Sequence, residues 1–293
     1  MPFSGVHNLS RSHFETQDFL EMGQGDPGQR DFRSGFMNRL ASSVGSAARP
    51  VSFTDQLPLA FRGTTEVGNV SLRNPPNAAT LTGSSAALAA LYRGHALETR
   101  VNEAFGLRSE VAEMTKQMEN VSRNAISARG FELEARRIAR FMRERYALGF
   151  VDIGGWDTHV GQGAAEGFLA SRFEELGRGL AGFADEMGAA AWQRTVVAVV
   201  SEFGRTFREN GGRGTDHGHG SVCWLLGGAL KCPPIVGEQV ALTATTLNQN
   251  RDLPVLNPLP EVLGGLFARQ FGLRSSAVEH IFPGIVPRDL QLI

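Results

Sequence analysis

Two short stretches of the sequence place aspartates and histidines close together. GGWDTH holds Asp157 two residues before His159, and GTDHGHG holds an Asp-His-Gly-His cluster. In an extended segment, side chains two positions apart point to the same side of the chain, so these groups can converge. Carboxylate oxygen and imidazole nitrogen are good ligands for a divalent ion such as zinc or manganese. The sequence therefore predicts a metal site with the candidate ligands Asp157, His159, Glu202, Asp216, His217 and His219.

The stretch SEFGRT adds a group that can bind an anion. Arg205 carries a guanidinium whose planar fork matches the oxygens of phosphate or sulfate. Glycine lets the backbone turn freely and approach a ligand closely, and this part of the chain has glycine at Gly204, Gly211, Gly212, Gly214, Gly218 and Gly220. We therefore expect Arg205 to contact an anionic small-molecule ester.

The predicted strands place both stretches at strand ends. FVDI (150–153) precedes GGWDTH, and the all-apolar run TVVAVV (195–200) precedes SEFGRT, while VCWLLGG (222–228) is a third apolar run. A strand that is apolar at every position is typical of a parallel sheet covered on both faces. Ligand sites in α/β sheets form beyond the carboxyl ends of the strands. We predict that the three strands share one sheet, with an amphipathic helix over 164–187 packed on one face.

The rest of the chain is organised around this unit. We predict a single α/β domain over residues 1–293, in which 129–293 form the main βαβ core and 85–128 form a helical excursion. An apolar stripe from Phe131 to Met142 predicts a further helix, which Gly149 can terminate.

Composition excludes several classes of protein. The 29 basic and 30 acidic residues give a formal net charge of -1, which offers no electrostatic basis for nucleic-acid binding. Two cysteines, Cys223 and Cys232, cannot build a disulfide framework; free thiols are favoured over a single bridge. No apolar run approaches the ~20 residues that a membrane span needs. The N-terminal residues show no export signal, and the oligomeric state has no signature in the sequence.

Each candidate residue also has a plain structural interpretation. Asp157 can be a turn residue beside a surface or core histidine, and the Asp-His-Gly-His cluster can be a glycine-rich turn. Glu202 can cap a helix or pair with Arg205. The metal hypothesis is favoured because these residues fall on one rim of the predicted sheet, where His13 could join them.

The motifs GGWDTH, VVAVVSEFGRT, GTDHGHG, RSHFETQDFLE and RDLPV together resemble the bacterial family called domain of unknown function 1501. The resemblance covers nearly the whole chain. That family is placed in the alkaline-phosphatase-like superfamily, alongside sulfatases and metal-dependent phosphoglycerate mutases. The resemblance implies an α/β/α sandwich with a mostly parallel central sheet, two metal ions, and a Ser, Thr or modified Cys nucleophile. It also implies export to the periplasm.

Roles transfer from the resemblance one residue at a time. Asp157, His159 and either His217 or His219 are similar to the ligands of one metal, although the spacing here is Asp-x-His instead of Asp-x-x-x-His. Active members of the superfamily have Ser-Asp-His-Gly at the end of a strand, where this chain has Ser-Glu-Phe-Gly. Glu202 can therefore still bind a second metal at this position, whereas the phenylalanine that follows it cannot.

The N-terminal stretch SRSHFETQDFLEMG resembles the segment that carries the sulfatase nucleophile. The resemblance makes Ser12 the candidate nucleophile, at a helix N-terminus that would favour an anion. The alternative is that Ser12 is only the N-cap of this helix. Asp216 and His217 can supply ligands from their loop that the Ser-Glu-Phe-Gly segment lacks.

A further departure concerns the start of the chain. Family members begin with a twin-arginine signal and a first strand that supplies an acidic metal ligand, and this sequence begins after both. Either the sequence is a truncated product or this homologue has lost that strand, and a lost central strand would expose sheet edges. Two functions stay open: a metal-dependent hydrolase of phosphate or sulfate esters using zinc, manganese or calcium, or a catalytically inactive homologue that acts as a binding or assembly module. The first requires a metal held by at least three side chains, and the second predicts an empty, hydrogen-bonded cluster.

Overall fold

The computed structural model describes residues 1–6, 10–25, 30–70, 89–103, 105 and 130–293. Among the described residues, the α-helices whose two ends are both described are α1 (His13–Met22), α2 (Phe36–Val44), α3 (Phe131–Glu144), α4 (Phe168–Trp192), α5 (Leu259–Phe271) and α6 (Ser275–Ile281). The strands are β1 (Pro2–Gly5), β2 (Pro50–Ser52), β3 (Gly68–Asn69), β4 (Leu148–Phe150), β5 (Val197–Val199), β6 (Ser221–Val222), β7 (Trp224–Leu226) and β8 (Asn257–Pro258). This mixture of elements confirms the predicted α/β class.

The strands form three small sheets with the orders β6-β1-β8, β3-β2-β4 and β5-β7. In the first sheet, β1 is parallel to β8 and antiparallel to β6. In the second, β2 is parallel to both of its neighbours. In the third, β5 and β7 are antiparallel, with Val197 opposite Leu226. Parallel and antiparallel pairs therefore both occur, and the α/β/α sandwich stays a prediction.

The prediction that FVDI, TVVAVV and VCWLLGG share one sheet is wrong. The first of these strands is β4, which begins and ends before residue 151 and pairs with β2. The other two form the separate antiparallel pair β5-β7. The expectation that TVVAVV is covered on both faces is also wrong, because Ala198 and Val200 are exposed. Among the described strands, β5 is paired along one edge only.

The predicted helices of the second half are present with different ends. α4 begins at Phe168 and reaches Trp192, and it is interrupted by the non-helical backbone of Gly188, with φ 69° and ψ 160°. α3 ends at Glu144, so Gly149 does not terminate it; Gly149 lies within β4 instead. The predicted helical excursion at 85–128 lies mostly outside the described residues.

The main hydrophobic core joins α1, α2, α5 and α6. Its fully buried side chains include Leu40, Phe61, Leu259, Ile281 and Phe282. A smaller cluster packs β2 against α3 through Val51, Phe53, Val70, Ile138 and Phe141. None of the described helices combines the length and the apolar character that crossing a lipid bilayer requires. Both cysteines are free thiols.

Two buried charged side chains tie the helices of the main core together. Arg39 of α2 donates through Nε to the carbonyl oxygen of Ile281 at 3.0 Å and through Nη2 to that of Met22, and its burial lowers its pKa to about 10. Glu21 of α1 accepts a hydrogen bond from the backbone N–H of Ala60 at 2.8 Å. Burial raises the pKa of the Glu21 carboxyl above its ordinary value.

Candidate metal centre

Three segments that are distant in sequence meet at one point on the surface. His13 is the first residue of α1, Asp157 lies in the loop after β4, and His217 lies in the loop before β6. One ligand atom from each of these three residues lies within 4.8 Å of the other two. The structure therefore assembles the carboxylate and imidazole donors that a divalent cation requires.

Asp157 is the residue on which the cluster converges. Its Oδ1 lies 2.9 Å from His159 Nε2, 3.0 Å from His217 Nε2 and 2.6 Å from Arg205 Nη1. Its Oδ2 lies 3.3 Å from His13 Nε2. Burial by itself would raise the pKa of Asp157, but the hydrogen bonds from Arg205, His217 and His13 outweigh burial and hold that pKa well below its usual range. Asp157 is therefore an anion at neutral pH.

The far side of each imidazole ring is held by an oxygen. Nδ1 of His13 lies 2.7 Å from Glu202 Oε1, and Nδ1 of His217 lies 2.7 Å from a backbone carbonyl oxygen. Nδ1 of His159 lies 3.2 Å from Asp216 Oδ1. A carboxylate or a carbonyl oxygen can only accept, so each ring can donate through Nδ1 to its outer partner; Nε2 then donates to Asp157 when the ring is protonated and offers a lone pair to a metal ion when the ring is neutral. Three Nε2 atoms therefore face the same carboxylate.

The two outer carboxylates are themselves ordered. Glu202 Oε2 accepts a hydrogen bond from Ser201 Oγ at 3.0 Å. Asp216 Oδ1 accepts from Asn210 Nδ2 at 3.0 Å, and this bond, followed by the contact with His159, lowers the pKa of Asp216. Burial lowers the pKa of His13, but its contacts with Glu202 and Asp157 outweigh burial and raise it above 6.5. The sequence predicted Glu202 and Asp216 as ligands, and the structure places them behind the histidine rings.

Arg205 is bound to the protein through most of its fork. Nε donates to Thr215 Oγ1 at 3.0 Å, Nη2 donates to the Thr215 carbonyl oxygen, and Nη1 donates to Asp157. The guanidinium is thus fixed beside the Asp157 carboxylate, where it places a positive charge at the edge of the cluster. Its predicted contact with an anionic ester stays a prediction.

Two predicted site residues lie beside the cluster rather than within its ligand group. His219 Nδ1 lies 2.6 Å from Asp252 Oδ2, and His219 is absent from the group formed by His13, Asp157 and His217. Ser12 occupies the N-cap position of α1, directly before His13, and its side chain makes no capping hydrogen bond. The structure thus places Ser12 next to the cluster in the chain.

Glycines let two extended segments cross within the site. Arg205 and His217 form an antiparallel bridge, and Gly204 N–H donates to the His219 carbonyl oxygen at 2.9 Å. A β-carbon at Gly204 would overlap the carbonyl oxygen of Gly220, and one at Gly218 would lie 2.8 Å from the Arg205 carbonyl oxygen. We expected these glycines to let the backbone approach a ligand; the structure shows that they let it approach itself.

A row of aromatic rings lies on one side of the site. The Trp156 ring centre is 5.3 Å from that of Phe173 in α4, and the Phe173 ring centre is 5.8 Å from that of Trp224 in β7. Trp156 Nε1 donates to the Ile153 carbonyl oxygen at 2.8 Å. This packing fixes the residue that directly precedes Asp157.

Comparison with known protein families identifies the group to which the chain belongs. The model of a family described as a protein of unknown function (DUF1501) matches residues 5–282. The chain is a member of DUF1501. No curated protein and no solved structure matches it. The matched range includes all the residues of the cluster.

Two residues of this DUF1501 site were missed or undervalued by sequence reasoning. His13 was only an optional addition to the predicted rim, yet it is one of the three residues of the ligand group. Phe203 was interpreted only as a lost ligand, yet it is buried and its ring centre lies 4.8 Å from that of His13 and 4.4 Å from that of His217. The motif RSHF at the start of a helix was the available signal for His13.

Proposed function

We propose that this DUF1501 protein binds a divalent metal ion between His13, Asp157 and His217 and hydrolyses phosphate or sulfate esters there. The observation that carries the proposal is the convergence of three imidazole Nε2 atoms on one carboxylate, all at 2.9–3.3 Å. A cation bound among these atoms would take the Nε2 lone pairs of neutral rings and balance the charge of Asp157.

The donor set fits zinc or manganese better than calcium. Two imidazole nitrogens and a carboxylate oxygen, with His159 Nε2 beside them, match the nitrogen and oxygen ligands of zinc. Calcium requires six to eight oxygen ligands, which the imidazole-rich cluster does not offer. Catalytic zinc sites keep three protein ligands and leave a position open for water or substrate. The Asp157 side chain is 45% exposed, so the cluster is accessible from solvent.

The groups behind the ligands match the usual surroundings of metal-binding histidines. Histidines that bind metals nearly always donate their other ring N–H to a carboxylate or a carbonyl oxygen, which fixes the ring and its tautomer. Glu202 does this for His13, Asp216 for His159, and a backbone carbonyl for His217. These partners keep every Nε2 atom directed at the centre.

The residues around the cluster fit an anionic ester. A bound metal ion supplies a Lewis acid that polarises the ester and lowers the pKa of a hydroxyl or water. Arg205 holds Asp157 in place and adds a positive charge that attracts phosphate or sulfate. Phe203 packs against the rings of His13 and His217 and keeps water from that side of the ligands. Ser12, next to His13, is the side chain to test as a nucleophile.

A second candidate function is supported by a separate observation. Phe203 stands where the superfamily resemblance places a metal-binding histidine, and the positive charge that contacts Asp157 in this structure is that of Arg205. These features favour a homologue that binds one ion, or none, and acts as a binding module. Loss of the two-metal clamp would leave hydrolysis weak.

One experiment separates these functions. Protein purified without chelator is analysed for bound metal, then assayed with zinc and manganese on aryl phosphate and aryl sulfate esters. We expect about one ion per chain and a slow hydrolysis that His217→Ala abolishes. Metal binding without hydrolysis favours the binding module. Protein that takes up neither ion contradicts the proposed site.

A further inference from the structure

Arg251 and Asp252 hold the two-histidine loop, residues 217–219, at three points. Arg251 Nη2 donates to the His217 carbonyl oxygen at 2.8 Å. Asp252 Oδ2 accepts from the backbone N–H of His219 at 2.6 Å and lies 2.6 Å from Nδ1 of the same residue. These contacts fix the backbone on both sides of Gly218.

Burial of the Asp252 carboxylate is energetically unfavourable. The residue has no exposed surface, and its Oδ1 is without a hydrogen-bond partner in the described part of the chain, 3.8 Å from Arg251 Nη1. Burying a carboxylate is unfavourable unless it is fully paired, so a contribution to stability alone does not account for an acid at this position. Its two short contacts both go to His219.

The contact with the ring determines which nitrogen carries the proton. A carboxylate only accepts, so the 2.6 Å contact places the proton of neutral His219 on Nδ1. Asn248 Nδ2 lies 3.0 Å from the same nitrogen, but a charge-assisted bond to a carboxylate is about twice as strong as a neutral one. Nε2 of neutral His219 therefore keeps its lone pair.

We infer that Asp252, with Arg251, is a positioning residue of the metal centre. Asp252 fixes the tautomer of His219, and the pair holds the loop that presents His217 to the cation. The inference rests on the proposed metal binding, but the tautomer of His219 is measurable in metal-free protein. The two ideas can therefore fail separately.

The test uses the 293-residue protein labelled with nitrogen-15. Long-range proton–nitrogen spectra of metal-free protein are recorded at a pH well above 6.5, and the His219 signals are assigned by their loss in His219→Asn. We expect a protonated Nδ1 in the wild type. In Asp252→Asn we expect the proton to shift towards Nε2 and the affinity for Zn²⁺ to fall about 10-fold or more. Asp289→Asn removes the same charge from an exposed ion pair with Arg269 and should change neither property.

Each outcome of this test either supports or overturns the inference. A wild-type His219 that carries its proton on Nε2 overturns the inference, as does an Asp252→Asn protein that keeps the Zn²⁺ affinity of the Asp289→Asn control. If Asp252→Asn does not fold, Arg251→Lys replaces it: it removes the fork that holds the His217 carbonyl, and an unchanged Zn²⁺ affinity then overturns the inference. A wild type that shows the expected tautomer but binds no Zn²⁺ overturns the role of Asp252 in the metal centre together with the proposed function, and leaves only its control of His219.

Discussion

Replacing Asp157 by alanine should weaken metal binding more than any other single change in the cluster. Its carboxylate contacts the Nε2 atoms of His13, His159 and His217 as well as Arg205. Removing a partner behind a ligand costs 10- to 100-fold in metal affinity, so loss of a direct ligand should cost at least the upper figure. A 100-fold loss corresponds to about 2.7 kcal/mol at about 1.36 kcal/mol per tenfold change.

The same substitution should change the stability of the metal-free protein little. The Asp157 side chain is 45% exposed, so water screens its ion pairs, and exposed pairs contribute about 1 kcal/mol or less. Removing the carboxylate also leaves Arg205 and the histidines without their shared acceptor. This loss offsets any gain in the stability of the metal-free protein. Asp157→Ala should therefore lower the metal affinity strongly and change the melting temperature in chelator only slightly.

Isothermal titration with Zn²⁺ of chelator-treated protein measures the affinity, and thermal melting in chelator measures the stability. Asp289→Ala is the matched control, because it deletes an exposed aspartate from an ion pair with Arg269. Equal Zn²⁺ affinity in the two variants would refute the placement of the metal at Asp157. A large drop in the melting temperature of metal-free Asp157→Ala would refute the claim that its ion pairs are screened.

Three further predictions concern the elements that hold the site. Gly204→Ala should destabilise the fold by roughly 1–3 kcal/mol, since the added methyl group overlaps the Gly220 carbonyl oxygen and the backbone must move. Arg39→Leu should cost roughly 2–4 kcal/mol, because it leaves the buried carbonyl oxygens of Ile281 and Met22 without this donor. Both effects are measured by urea unfolding. Because the pKa of Glu21 is raised in the folded state, its contribution to stability is present below 4.5 and lost as the pH rises through that raised pKa. The melting temperature of the wild type should therefore fall relative to that of Glu21→Gln between pH 4.5 and neutrality.

Each of these changes has a control in the same chain. Gly211→Ala adds a methyl group where no atom lies within 4 Å, so it should be close to neutral. Arg33→Leu removes an arginine whose side chain is 93% exposed. Glu15→Gln removes a half-exposed glutamate from α1. A control as destabilising as its partner, or parallel pH curves for wild type and Glu21→Gln, would contradict the corresponding explanation.

The parts of the fold that depend on local patterns could be predicted from the sequence. α3 and α4 follow from apolar residues at helical spacing, and their positions differ from the prediction by a few residues at the ends. The pairing of strands could not be predicted in the same way. TVVAVV has the composition of a covered parallel strand, yet it forms an exposed antiparallel pair with β7, because a run of apolar residues specifies neither the partner nor its direction.

The candidate site could also be predicted only in part from local sequence patterns. Asp157 and His217 were predictable because both lie in short motifs rich in metal-ligating residues. His13 lies in no such motif, and it reaches Asp157 only because α1 packs beside the loops after β4 and β5. The separation of His219 from the ligand group depends on Asp252, which is far from it in sequence. Contacts between distant segments decide which histidines meet.

The aromatic row beside Asp157 gives the protein a built-in optical reporter. Trp156 directly precedes Asp157 and packs on Phe173, so its fluorescence should respond when the neighbouring loop orders around a ligand. Trp192 lies at the other end of α4, against Phe183, and supplies emission that such ordering leaves unchanged. The chain has three tryptophans. Replacing Trp224 by phenylalanine would leave Trp156 as the reporter and Trp192 as the reference. Ligand exchange at the centre could then be followed in real time without any attached dye.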